Sequence, residues 1–383
     1  MQANEKPVGL PAILAEFGGD IEKAIEGWRK TADEHPNHVD PLLNLQILFN
    51  AAGREAEAYE ASNRQLAIDP RDPRVLFNRG WHVIHRGRLT EGFRLLDHGR
   101  AIGTYGNAAP AQDALRWSGE DLRGKTLLLQ LEAGLGDEII NFRFHRSFAA
   151  LGAKVVVACH KSLMKLFDHQ AGVAGVVDRE FAHAVAFDHF VQGMSAPGML
   201  GLTVPTLPGE KYIDANGALK TNWDEFLSTK TSGSRKPRVA LRWAGNPKFE
   251  HQQYRKFPAE LVLRLTTKAN VDFFSLQRDN DVTALPTGVI DLQSELVTWD
   301  DTAAAIANMD LVITSCTSIA HLSGAMGIET WVIVPVLPYY IWSLPGDTSP
   351  WYPRVRLFRQ LRFGTWEDAA GKLRRALDEK FPG

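Results

Sequence analysis

At 383 residues the chain has room for two or three domains, each with an adequate core. Its 44% hydrophobic and 23% charged residues are ordinary globular values, and a formal net charge of −2 without a strong basic run argues against nucleic acid or an anionic membrane as main partner. Two cysteines, Cys159 and Cys316, provide neither a disulfide framework nor a zinc spacing. The first six residues show no signal-peptide pattern, and apolar stretches such as Trp331–Leu337 are far too short to span a bilayer. The expectation is a soluble, cytoplasmic protein with no metal site.

Residues about 8 to 104 repeat with a 34-residue period. Gly19, Gly53 and Gly87 fall on it, as do Val8, Leu42 and Leu76, the small series Ala24, Ala58 and Gly92, and the pairs Pro36/Pro70 and Asn44/Asn78. Helix–turn–helix units with glycine at the inner turn and proline closing the second helix carry the tetratricopeptide pattern, which stacks into a concave surface suited to a peptide. The third unit decays after Leu96 into glycine-rich chain, as where an array ends or docks on another domain. The stretch Gly103–Gly124 reads as a linker with Trp117 exposed on it.

Thereafter the periodicity changes. Thr126–Glu132 and Lys154–Cys159 are short β-rich runs separated by a helical stripe of Ile140, Phe144, Phe148 and Leu151, which predicts a βαβ unit and a parallel sheet. Between them Glu132-Ala-Gly-Leu-Gly-Asp137 opens the helix, its glycines letting backbone approach a ligand. Asp137 suits either the helix cap or a general base at the C-terminal end of the first strand. A second boundary lies at Thr229–Pro237. Beyond it Arg238–Trp243, Val271–Leu276, Val289–Leu292, Leu311–Ser315 and Thr330–Pro335 read as strands between helices. Two α/β lobes with a cleft between them follow, giving divisions of 1–104 for the repeats, 105–230 for the first lobe and 231–383 for the second.

Three clusters in the second lobe suit an anion. Ser315-Cys316-Thr317-Ser318-Ile-Ala-His321 begins a helix, where N–H groups, hydroxyls and an imidazole fit a diphosphate or equally a capped helix with a satisfied histidine. Arg242-Trp243-Ala-Gly-Asn246 and the Arg255-Lys256 pair supply cations for phosphate, or a solvated charged turn. The aromatic and arginine-rich run Ser349–Gln360 reads as a packed crossover between the lobes.

Taken in order, Trp117-Ser-Gly-Glu-Asp-Leu-Arg-Gly-Lys, Glu132-Ala-Gly-Leu-Gly-Asp-Glu-Ile, Leu241-Arg-Trp-Ala-Gly-Asn-Pro, Phe274-Ser-Leu-Gln277, Asp301-Thr-Ala-Ala and Thr317-Ser-Ile-Ala-His-Leu-Ser-Gly-Ala-Met-Gly resemble a bacterial family of tetratricopeptide-repeat glycosyltransferases related to heptosyltransferases and O-GlcNAc transferase. The resemblance covers nearly the whole chain. It implies an α + α/β architecture: N-terminal tetratricopeptide repeats, then the two Rossmann-like lobes of a GT-B enzyme. It further implies a metal-independent transferase with no cofactor beyond its nucleotide-sugar co-substrate. The acceptor implied is a hydroxyl, Ser or Thr of a protein such as flagellin held by the repeats. By the same resemblance Asp137 is the catalytic base, and Arg255, Gln277, Thr317, Ser318 and His321 bind the donor; Gly136, Trp243, Asn246, Lys256 and Cys316 are expected beside them in the donor site. The alternative is a scaffold or binding module descended from such a transferase. Departures from the family pattern motivate it, since Cys316, Gln252 and Thr365 stand where aspartates are usual, Tyr339 stands near another, and Ile341 replaces an arginine. These neutral replacements leave an acidic sugar donor open beside a neutral one.

Overall fold

The computed structural model describes residues 9–107, 113–231, 233, 236–245, 255–277 and 285–383. Val8, Asn246 and Gln252 therefore lie outside the described residues.

Three helix pairs come first: α1 (Leu10–Ala15) with α2 (Ile21–Glu34), α3 (Asp40–Ala51) with α4 (Glu55–Ile68), and α5 (Pro73–His85) with α6 (Leu89–Leu96). The 34-residue period has a backbone cause. Gly19, Gly53 and Gly87 all sit at positive φ, 82°, 72° and 76°, in the turns that reverse each pair, a conformation that side chains with a Cβ rarely adopt. The small series has a packing cause: Ala24 and Ala58 are fully buried, and a Cβ on Gly92 would fall 2.4 Å from Ile84. Pairs one and two share their own apolar cluster, Leu10, Ile25, Leu42, Leu48 and Phe49 among its members. The third pair does not. Ile84, Leu89, Phe93 and Leu96 belong to the core of the sheets that follow.

The first sheet contains β1 (Thr126–Gln130), β2 (Lys154–Cys159), β3 (Gly175–Asp178) and β4 (His189–Gln192) in the order β3-β2-β1-β4, all parallel. Helices α7 (Leu135–Phe142), α8 (Phe144–Ala150), α9 (Met164–Asp168) and α10 (Ala196–Met199) accompany it, and α11 (Gly217–Lys230) leads onward. The second sheet, also parallel throughout, has the order β10-β9-β8-β5-β6-β7. Its strands are β5 (Arg238–Arg242), β6 (Asp272–Ser275), β7 (Val289–Asp291), β8 (Leu311–Ser315), β9 (Thr330–Val334) and β10 (Val355–Arg359). The helices α12 (Ala259–Thr266), α13 (Trp299–Ile306), α14 (Ser318–Ala325) and α15 (Glu367–Lys380) pack around it. Strands buried on both faces read as continuous apolar runs, as β8 and β9 do. No helix among the described residues is long and apolar enough to cross a membrane.

Two expectations need correction or completion. Trp117 is buried, at 7% exposure, with its ring edge-on to Phe148 and its Nε1 donating to the Glu120 carbonyl. The polar and glycine neighbours that made it read as exposed line only the outer side of the segment. The decay after Leu96 is a docking device: a 3-10 turn over Asp97–Ile102 places Arg100 on Glu132. Arg100 Nη1 and Nη2 reach the two Glu132 oxygens at 2.8 and 2.7 Å, and Nη2 also donates to Ser195 Oγ at 2.8 Å. Glu132, fully buried, accepts further bonds from the Asn107 and Met194 N–H groups and from Gln192. Cutting such a buried pair strands a charge in an apolar interior. Arg100→Ala should therefore destabilise the fold by about 3–5 kcal/mol, read as the midpoint and slope of urea unfolding.

Candidate active site

One cavity of about 1510 Å³ is walled by all three parts of the chain. The helix pairs contribute Leu43, Asn44, Ile47, Phe77, Asn78 and Trp81; the first sheet contributes the Ala133–Asp137 loop; the second contributes Arg242, Arg255, Cys316–Ser318, His321 and Tyr339. The two sheets present the carboxyl ends of β1 and β8 to it, the edge at which open parallel sheets bind ligands.

The Ala133–Asp137 loop is held under tension. Ala133 has φ +64°, alone among the described non-glycine residues in that region. Its carbonyl accepts from Arg179 Nη1 at 3.1 Å, and the same nitrogen pairs with the buried Glu138 at 2.6 Å. Glu138 also accepts the His160 N–H at 2.7 Å. Helix α7 then starts at Leu135, and Asp137, at its third position, reaches back to take the Gly134 N–H on Oδ2 at 3.1 Å. Its Oδ1 accepts the Tyr339 hydroxyl at 2.5 Å, across the cleft from the second lobe. Asp137 thus caps the helix and lines the cavity at once. Burial raises its pKa; the Tyr339 hydroxyl and the Gly134 N–H pull the other way.

Gly136 brings the lobes together. A Cβ there would lie 3.2 Å from His321 Cδ2 and 3.6 Å from Ser318 Cα, so the N-terminal turns of α7 and α14 approach so closely that a side chain would crowd the imidazole. Thr317 precedes α14, its Oγ1 3.2 Å from Thr314 Oγ1. The helix directs its first N–H groups and positive dipole end at the cavity. Cys316 is buried, with Sγ accepting the Trp342 Nε1–H at 3.2 Å and its carbonyl accepting Arg255 Nη1 at 3.1 Å. Burial raises the thiol pKa, so the side chain is neutral. His321 is 4% exposed and stacks on Trp342 at 5.3 Å. Burial, then the Arg143 and Arg255 charges, lowers its pKa to about 3. It is neutral at physiological pH and offers hydrogen bonding without charge.

The remaining sequence-derived residues sit elsewhere. Trp243, 3% exposed, packs in the second lobe's core beside Phe257 and Leu261 and does not line the cavity. Gln277, 1% exposed, turns its Oε1 to the Trp243 and Ala244 N–H groups at 3.0 and 3.1 Å, fixing the loop behind the cavity. Lys256 is exposed and outside the cavity wall, since the chain turns inward at Phe257, which is fully buried.

Several residues of the site carried no sequence signal of a role. Tyr339 meets Asp137 from 202 positions away. Arg359 shapes the wall by donating to the Trp342, Leu344 and Gly346 carbonyls. Arg143, fully buried, donates to the Trp351 carbonyl at 2.8 Å and to Tyr212 at 3.2 Å, and lies 4.5 Å from the Tyr352 ring. The run Ser349–Gln360 is the packed crossover expected, with Trp351 and Tyr352 fully buried.

No protein-family model matches the chain. Protein FlbA of Caulobacter vibrioides is 27% identical over 361 residues, covering 84% of this chain. The chain spans 59% of that relative's length. A glycosyl transferase family 9 structure from Veillonella parvula superposes with a TM-score of 0.52 at 11% identity, covering 64% of this chain and 88% of that one. The E. coli ADP-heptose LPS heptosyltransferase II gives 0.48 at 12% identity, over 67% of this chain and 99% of that one. The likeness to the Veillonella parvula structure shows the fold, two parallel α/β sheets, and no more.

Glu138 behind the loop makes a test of its electrostatics. Burial raises its pKa to about 7, against the pull of the His160 N–H and Arg179. Its folded pKa exceeds the unfolded value of 4.5, so the native state holds the extra proton and stability falls as pH rises between them. Glu138→Gln should flatten the stability profile from about pH 4.5 to about pH 7, measured by denaturant unfolding across that range.

Proposed function

We propose that the protein is a glycosyltransferase of the GT-B type. In this reading it moves a sugar from a nucleotide-sugar donor, the only co-substrate required, to a hydroxyl, Ser or Thr of a protein segment lying on the helix pairs. The observation that carries it is the cavity that joins Asp137, the α14 N-terminus with Arg255, and a face of the helical array. The divisions near residues 104 and 230, and the tetratricopeptide character of the array, belong to the same proposal.

The roles follow from chemistry. Asp137 takes the proton as the acceptor O–H bond breaks. The acceptor oxygen forms its bond to the anomeric carbon, and the bond from that carbon to the phosphate oxygen breaks, its electron pair leaving on the nucleotide. Arg255, Arg242, the Ser318 hydroxyl and the first N–H groups of α14 stabilise that charge, which is the demanding electrostatic task in such a transfer. They do so without calling on a metal. Gly136 lets α7 close on the N-terminal turn of α14, Cys316 and Thr317 shape the diphosphate seat beside it, and neutral His321 bonds a hydroxyl or phosphate oxygen. Trp243 and Gln277 act at one remove by fixing the loop above the seat. Asn44 and Asn78, one repeat apart and both lining the cavity, offer carboxamides that match a peptide main chain in donor and acceptor.

Asp137→Asn should reduce turnover by about 10² or more, followed as nucleotide release from UDP-, GDP-, ADP- and CMP-sugars offered separately with acceptor protein. Unchanged turnover would remove Asp137 from the base role. Calorimetry with the matching free nucleotides that shows no binding to the wild type would replace the transferase reading with the scaffold.

A further inference from the structure

The cavity contains one contact that the transfer step above does not use. Tyr339, on the loop after β9, crosses the cleft to donate its hydroxyl to Asp137 Oδ1 at 2.5 Å. Its ring is set from two sides: Tyr340 lies 4.4 Å away, and Trp81 of α5 lies 5.9 Å away. The other carboxylate oxygen is already engaged by the Gly134 N–H. Asp137 is therefore fixed at both oxygens, once by its own helix and once by a residue seated on the helical array.

We propose that Tyr339 is a positioning residue for the reaction: it holds Asp137 ionised and aimed, and it does so from a mount built partly on the repeats. The inference rests on the transferase reading in assigning Asp137 as base. A half-buried carboxyl in a mostly apolar cavity drifts toward its protonated form, in which it accepts no proton. A phenol donating to the anion counters that drift. Burial and the neighbouring Asp137 charge push the Tyr339 phenol well above its ordinary range, so it remains a donor at every working pH. Each carboxylate oxygen has two acceptor sites. The Tyr339 bond consumes one on Oδ1 and leaves the other for the substrate proton.

Tyr339→Phe preserves the ring against Trp81 and Tyr340 and removes only the hydroxyl. The expected result is an acid limb of the pH–rate profile displaced to higher pH, with transfer on the acid side down about tenfold and the alkaline plateau near wild type. Tyr339→Ala, which also empties the ring's place, should lose further activity at every pH. A Phe variant whose pH profile superposes on wild type, with only Ala impaired, would overturn the proposal and leave Tyr339 a space-filling side chain. The second readout needs no turnover. Selective ¹³Cγ-aspartate labelling, with Asp137→Asn identifying the resonance, follows the carboxyl titration directly. An upward-shifted titration in Tyr339→Phe supports the proposal even if no donor is turned over, whereas an unshifted titration overturns it. Absence of transfer with every donor, beside a shifted titration, fails the transferase reading alone.

Discussion

The carboxylate of Glu132 is buried at the end of β1, and almost everything that makes a site here is arranged around its neutralisation. Arg100 brings the charge that balances it, and the two-point geometry between guanidinium and carboxylate fixes orientation as well as distance. Asp97 and Ser195 complete the ring of contacts, with Asp97 accepting from both Arg100 Nε and Ser195 Oγ. One consequence is local: the next residue, Ala133, is held at a positive φ that its side chain disfavours, and the chain emerges from it aimed into α7. The other consequence is global. Because Arg100 comes from the end of the helical array and Glu132 from the sheet, the same pair sets where the array stands relative to the cleft.

The second lobe is tied in by different physics. Gly136 allows backbone-close approach of α7 to α14, and Arg143 spans the junction by donating to the Trp351 carbonyl. Arg143 also donates to the Ile140 and Pro208 carbonyls and to the Tyr212 hydroxyl, and three aromatic faces lie around it. Cation–π contact and oriented carbonyl dipoles make such a buried cation tolerable. Its charge is felt at His321, where it contributes to keeping the imidazole neutral.

Much of this was readable from local chemistry. The repeat glycines announce themselves because a left-handed turn excludes other residues, and the small series because two helices touch there. The parallel sheets were legible as short apolar runs spaced by helical stripes. The candidate site was most legible where it is made by consecutive residues, as in Gly134–Asp137 and Cys316–His321, and in the two arginines Arg242 and Arg255. Tyr339 and Arg143 escaped because their partners are remote in sequence, and an isolated tyrosine or arginine has many ordinary uses. Trp243 and Gln277 misled for the converse reason: their place at strand ends suggested ligand contact, but Gln277 spends its Oε1 on two backbone N–H groups and Trp243 completes a core. Glu132 did carry a signal, a carboxylate directly following the apolar run Thr126–Leu131. Such a residue must be buried with a cation or excluded from the strand's end altogether.

The unequal attachment of the three helix pairs bears on how proteins of this architecture can change over generations. The first two pairs have a core of their own, whereas Ile84, Leu89, Phe93 and Leu96 of the third pack into the same cluster as β1 and Trp351. A recombination that inserts or deletes a 34-residue unit ahead of the third pair leaves the core shared with β1 intact and disturbs a helix-on-helix joint together with the packing of Leu337 and Phe363 on the first two pairs. A break between the third pair and β1 would expose apolar surface on both products and separate Arg100 from Glu132. Repeat number is thus less constrained on one side of the array than on the other, so lineages can lengthen or shorten the array while inheriting the last pair and the lobes as one cassette.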